Sequence, residues 1–142
     1  MRASPAREIA MPVTPHLPHA ERFGPLDSVN VDVEALPWKP TPTPGIDMKI
    51  LMEDKDTGLL TALFRWAPGS QLALHEHVEI EQSWVVDGEF EDDDGVYTKG
   101  NFVWRPKGHR HVARSPKGAT VLCFFLKPNK FIGGAHDGVE LK

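Results

Sequence analysis

The stretch GSQLALHEHVEIEQSWVVDG, residues 69–88, decides the fold class. Its even positions Leu72, Leu74, Val78, Ile80, Trp84 and Val86 are apolar, while its odd positions carry His75, His77, Glu79 and Glu81. A period of two belongs to a strand, whose successive side chains point to opposite faces. An amphipathic helix gathers its apolar residues into one stripe at three- and four-residue spacing, whereas here they alternate with polar ones. Asp87–Gly88 is a dipeptide suited to a hairpin turn, and it is expected to end the strand.

The pattern repeats on both sides. Val29, Val31 and Val33 alternate as a short strand. Leu36–Gly45 holds Pro37, Pro40, Pro42 and Pro44 and reads as polyproline-like edge chain. Ile46–Met52 and Leu59–Trp66 read as two strands joined by the polar turn Glu53–Gly58. Turns at Asp92–Gly95, with Asp92–Asp94 expected to be a solvated hairpin tip rather than a calcium site, and Lys99–Gly100 separate short strands at Val96–Thr98, Asn101–Arg105 and His109–Arg114. Ala119–Leu126 is nearly all apolar and reads as a strand buried on both faces. Many short strands, close turns and no convincing helix predict an all-β sandwich, barrel or jelly roll.

The chain has 142 residues, enough for one ordinary domain. Residues 26–131 are expected to form it. Residues 1–25, with prolines at 5, 12, 15, 18 and 25, read as an extended arm, mobile unless docked on a partner subunit. Residues 132–142 read as a Gly-rich tail. The 13 prolines and 12 glycines fit a chain of many turns. With 16 Lys+Arg against 20 Asp+Glu, the net charge of −4 argues against a broad nucleic-acid footprint. No apolar run approaches the roughly 18–20 residues of a membrane span, and no apolar leader follows the first residues. The single cysteine, Cys123, excludes an intrachain disulfide and a cysteine-based zinc finger. A cytoplasmic location is expected.

Four of the seven histidines fall in two short stretches, residues 69–88 and 100–115. His75 and His77 share one strand face, with Cα atoms roughly 7 Å apart, so both rings can reach one metal ion. Glu81 joins them if the chain bends around Val78–Ile80. His111 comes from another strand, delivered by the turn at Pro106 and Gly108. Three imidazoles and a carboxylate suit one first-row divalent ion: Fe or Zn foremost, with Mn, Ni and Cu also compatible. Calcium and magnesium prefer oxygen-rich shells.

The spacing Gly69, His75, His77, Glu81, Gly88 resembles the first cupin motif, and Gly100, Pro106, Gly108, His111 resembles the second. The second motif usually ends in Asn, where this chain has Ser115. The resemblance implies a cupin-type, RmlC-like jelly-roll barrel (a double-stranded β-helix) with His75, His77, Glu81 and His111 as metal ligands. The stretch LPWKPTPTPGIDMKIL, residues 36–51, further resembles ChrR-type cupin domains, a class that is similar to acetylacetone-cleaving dioxygenases. Anti-sigma factors of the ChrR type carry a separate helical zinc domain before the cupin. Residues 1–25 do not resemble one, so sigma-factor binding is not expected.

The resemblance implies a mononuclear non-haem metal-dependent dioxygenase-type oxidoreductase acting on a small enolisable carbonyl or phenolic substrate. In it Glu81 is both ligand and candidate base. A non-catalytic zinc-binding sensor or small-ligand module and a metal-dependent isomerase are the alternatives. His109 shares the parity of His111 and is expected at the rim of the pocket. Phe102 and Trp104 share one face of their strand and are expected to line the pocket or to pack in the core. The apolar even face of residues 72–86 predicts a homodimer, since a monomer leaves such a face in water.

Overall fold

The computed structural model describes residues 12–140. Ten strands run in chain order: β1 (Lys39–Pro40), β2 (Ile46–Glu53), β3 (Leu60–Trp66), β4 (Ser70–Glu76) and β5 (Glu81–Asp92) come first. β6 (Gly95–Thr98), β7 (Phe102–Arg105), β8 (Arg110–Ser115), β9 (Ala119–Phe125) and β10 (Lys130–Phe131) follow. They form one curled antiparallel sheet in the order β1-β2-β3-β9-β5-β8-β4-β10, with β6 and β7 both paired to β5. The all-β expectation holds. No helix among the described residues is long and apolar enough to cross a membrane.

β5 links the two halves of this sheet. Its first part pairs with β7 and β9, through Glu81↔Arg105 and Glu81↔Phe125. Its last part pairs with β6 and touches β8, through Asp92↔Gly95 and Glu91↔Arg114. A register shift between Val85 and Asp87 separates the two parts. One extra residue there reverses which side chains face inward. Glu81, Ser83 and Val85 are buried before the shift, and Phe90 and Asp92 after it. Gly88 sits at the crossing with φ 69°, and a Cβ on it would meet the Gly118 carbonyl oxygen at 2.1 Å. Only glycine lets the two backbones pass this close.

Asp87–Gly88 is therefore not a hairpin turn. The strand runs through it to Asp92, and the reversal comes at Asp93–Asp94. The stretch 71–86 is likewise two strands, broken at residues 77–80. A further register shift between Leu72 and His75 turns Leu72 toward the core and leaves Leu74 exposed.

The core holds Ile46, Met48, Leu60, Ala62, Phe64, Val85 and Val121 among others. β9 is not buried on both faces. Its inward Val121, Cys123 and Phe125 are buried, but Phe124 on the other face is 42% exposed, with Leu126 beyond the strand at 50%.

Residues 29–33 form no strand. Val33–Ala35 is a 3-10 turn, and Lys49 Nζ donates to the Val33 carbonyl at 2.8 Å. The reason is competition for an edge. β2 already pairs with Lys39–Pro40 and, at Glu53, with Val13. The Pro-rich segment is an edge chain as expected, and Leu36 within it is buried. The described part of the arm docks on its own chain, through two Val13–Glu53 backbone hydrogen bonds of 2.8 Å. Residues 1–11 lie outside the described residues. β10, two residues long, is too short to leave a period in the sequence.

Candidate metal centre

His75 is the penultimate residue of β4 and pairs across to His111 of β8. His77 follows β4, held by its own N–H donating to the His109 carbonyl at 2.8 Å and its carbonyl accepting from Gly108 N–H at 2.7 Å. Two strands in register thus deliver three imidazoles to one place. His75 Nε2 lies 2.8 Å from His111 Nε2, and His77 Nε2 lies 3.1 Å from the same atom. All three rings offer a nitrogen within 4.8 Å of the others.

Their tautomers follow from the other ring nitrogens. His75 Nδ1–H donates to the Ala73 carbonyl at 2.9 Å. His111 Nδ1–H donates to Asp92 Oδ2 at 2.8 Å. Each neutral ring carries one proton, so both Nε2 atoms present bare lone pairs to each other at 2.8 Å. Such a pair repels unless a cation sits between the nitrogens. At a metal–nitrogen distance of about 2.1 Å, adjacent donors stand about 3 Å apart. The residues present therefore fit a divalent metal, held by His75, His77 and His111.

Glu81 stands behind His77 rather than among the converging Nε2 atoms. Its Oε2 is 2.8 Å from His77 Nδ1, a short contact off the alignment of a hydrogen bond. Ser83 donates its hydroxyl to Oε1 at 2.7 Å, and Asn129 donates Nδ2–H to Oε2 at 3.0 Å. Arg105 Nη1 lies 3.6 Å from Oε1.

Two residues of the site carry no signal in the sequence. Asp92 is buried and gathers His111, the Tyr97 hydroxyl at 2.7 Å and Arg105 Nη2 at 3.2 Å. It is not the solvated hairpin tip expected from Asp92–Gly95. The register shift in β5 reverses its parity, so counting from Glu81 points it outward. Arg105 is buried between the two carboxylates and over the Tyr97 ring at 5.0 Å. Its cross-strand pairing with Glu81 emerges only once β7 is placed. Two carboxylates against one guanidinium leave the site one negative charge, which favours a bound cation.

Burial pushes the His75 ring down to about 4. Burial, with the neighbouring His75 and Arg105 charges, pushes His111 down to about 3. Both rings are thus neutral and ready to ligate at pH 7. Burial alone would raise the Glu81 carboxyl, but His77 and Arg105 more than offset it and hold it below the usual carboxylate range. The same opposition holds at Asp92, where the Tyr97 and His111 hydrogen bonds and Arg105 outweigh burial. Burial pushes the Cys123 thiol up, so it stays protonated beside Ser83.

His75, Glu81 and His111 open onto a cavity of about 50 Å³ inside the barrel. Phe64, Trp66, Phe90, Val121 and Phe125 make its apolar walls. Phe102 and Trp104 do not line it. They stand on the outer face of β7, 49% and 56% exposed, because the inward positions there belong to Val103 and Arg105. His109, expected at the rim, does not line this cavity. Its ring centroid is 4.9 Å from that of His111, and its Nε2 is 3.1 Å from Asp94 Oδ2.

Residues 27–130 match the family described as the ChrR cupin-like domain. The chain belongs to that family. Its fold is the cupin fold. A candidate acetylacetone dioxygenase from Methylibium petroleiphilum PM1 superposes with a TM-score of 0.72 at 22% identity, over 84% of this chain and 90% of that one. An RmlC-like cupin from Ralstonia eutropha JMP134 gives 0.72 at 15% identity, over 82% and 79%. An acetylacetone dioxygenase from Acinetobacter johnsonii gives 0.68 at 19% identity, over 84% and 87%. No curated protein matches in sequence.

Proposed function

We propose that this cupin is a mononuclear metal-dependent dioxygenase-type enzyme for a small enolisable dicarbonyl or phenolic substrate. The observation that carries it is the convergence of three imidazole Nε2 atoms, with His75 and His111 on the wall of an apolar internal cavity. A bound divalent ion such as Fe(II) supplies Lewis acidity and lowers the pKa of an enol oxygen. The chain's own residues supply the rest. Asp92 holds His111 in the ligating tautomer. Phe64, Trp66 and Phe125 keep water from the reacting carbons. The family motif makes Glu81 a fourth ligand, for which its carboxylate would have to turn from His77 Nδ1 toward the Nε2 atoms; where it stands it is ionised and able to take a substrate proton. The charges that keep it ionised also make it a weak base, so bracing His77 is the stronger role of the position it holds.

The family resemblance to ChrR domains favours a second reading, a zinc-binding sensor or ligand-binding module without catalysis. The isomerase alternative has no observation of its own in its favour. Metal analysis of anaerobically purified protein, followed by oxygen uptake against β-diketones and phenolic ketones, separates the first two readings. Bound iron and substrate-dependent oxygen uptake are expected. Bound zinc and no uptake with any substrate would establish the module instead.

The enzyme is further proposed to work as a homodimer in the cytoplasm, where its one buried thiol suits a reducing milieu. Trp84, Phe102, Trp104 and Phe124 form an exposed apolar band across β7, β5 and β9. The band carries no charge, so a second copy related by a two-fold axis is complementary to it.

A further inference from the structure

Asn129 is 2% exposed, lines the cavity and lies between β9 and β10. Its amide orientation is settled by chemistry. Nδ2–H donates to Glu81 Oε2 at 3.0 Å, and an ionised carboxylate accepts hydrogen bonds only. The carbonyl oxygen Oδ1 must then be the free end. It is buried and has no hydrogen-bond partner. Arg105, which lines the same cavity, has its Nε donor likewise buried and unpartnered. Buried polar groups of native proteins are almost always paired, so an unpaired acceptor and an unpaired donor on two residues that line one apolar cavity call for a partner.

We propose that Asn129 is a specificity-determining residue whose Oδ1 accepts a hydrogen bond from an O–H or N–H group of the small molecule in the cavity. This rests on the reading of the cavity as a small-molecule site, and narrows it. The ligand class becomes small carbonyl compounds that carry a hydroxyl or amine donor besides the oxygens presented to the metal. Arg105 Nε would meet an oxygen of the same molecule. A site with a buried acceptor discriminates strongly against an analogue lacking the matching proton, because the acceptor is then left unpaired in a dry environment. A plain diketone without a donor leaves Oδ1 unpaired and is the poorer ligand.

The test is calorimetric titration of the full-length, zinc-loaded protein with acetylacetone, 1-hydroxypentane-2,4-dione and 1-fluoropentane-2,4-dione. Fluorine is close to hydroxyl in size but has no proton to give. The hydroxy compound should bind about tenfold tighter than either of the others. Asn129→Leu should retain its zinc and bind all three alike. Equal affinity of the hydroxy and fluoro compounds for the unaltered protein overturns the proposal, and that comparison needs no variant. A hydroxyl preference that survives in Asn129→Leu also overturns it, since Oδ1 then meets only water. Binding of all three diketones without preference leaves the small-molecule reading standing and removes this inference alone. Binding of none of the three removes both.

Discussion

Asp92 Oδ2 accepts a hydrogen bond of 2.8 Å from His111 Nδ1, although the two residues lie on different strands and 19 positions apart. That bond fixes the ring's proton on Nδ1 and leaves Nε2 free to ligate. Asp92→Asn preserves the shape but removes the charge, and its amide can turn either end toward the ring. Metal affinity should fall about 10- to 100-fold with the fold intact. Competition against a chromophoric chelator, with circular dichroism as the check on folding, measures this. Unchanged affinity would show that the register of β4 and β8 alone sets the ring.

The ligand set is open to direct removal. His75→Ala, His77→Ala and His111→Ala should each abolish stoichiometric metal binding, since each removes one of three converging nitrogens. Glu81→Gln should bind more weakly but still bind, because it removes the negative charge behind His77 and leaves the three nitrogens in place. His109→Ala should keep its metal, as the ring stands outside the cluster of three converging nitrogens and its Nε2 is engaged by Asp94. Elemental analysis after desalting reads all five variants. Loss of metal in His109→Ala with retention in His111→Ala would refute the assignment.

Acid should destabilise the metal-free protein, and the sign follows from the depressed histidines. His75 at about 4 and His111 at about 3 lie below the unfolded value near 6.5. Between those limits the unfolded chain binds more protons than the folded one, so stability drops as pH falls. Glu81 and Asp92, also held low, add to the loss below about pH 4. Melting temperature in the presence of a chelator should be flat from pH 8 to about 6.5 and fall below it. Each histidine contributes on the order of 3 kcal/mol by full titration. Metal should move the whole fall to lower pH. A melting temperature independent of pH down to 4 contradicts this account.

Gly88→Ala should be among the most damaging single-methyl changes in the chain. The new Cβ would meet the Gly118 carbonyl oxygen at 2.1 Å and the Ala119 Cα at 2.8 Å, both backbone atoms. It would also hold alanine at φ 69°. A loss of about 3 kcal/mol or more is expected, readable in urea unfolding. Gly69→Ala, at φ 82° with nothing within 4 Å of the added carbon, should cost less. Equal losses at the two sites would mean that backbone conformation, not crossing distance, governs Gly88.

The apolar band predicts the state of association. Light scattering at micromolar concentration should give twice the 15.8 kDa of one chain. Trp84→Arg, placing a charge in the middle of the band, should shift the protein toward monomer without loss of metal. A monomeric mass for the unaltered protein removes the dimer.

The sequence by itself carried the fold class and three of the site's residues. Turn dipeptides and a period of two are local properties, so the all-β architecture was legible in residues 69–88 without any contact being known. His75, His77 and His111 were legible because short strands and a Pro106–Gly108 turn fix their spacing. What remained hidden depends on residues brought together from afar. Asp92 could not be read because a one-residue shift between Val85 and Asp87 reverses strand parity, and that shift is set by how β5 crosses β9. Residues 29–33 alternate like a strand but find the edge of β2 occupied by Lys39–Pro40 and Val13. Phe102 and Trp104 are apolar, yet the inward positions of β7 go to Val103 and to Arg105, whose charge is met there by Glu81 and Asp92. Asn129 lies 48 positions from the carboxylate it holds. Only tertiary structure decides such matters, because parity, edge availability and charge pairing are properties of neighbours in space rather than along the chain.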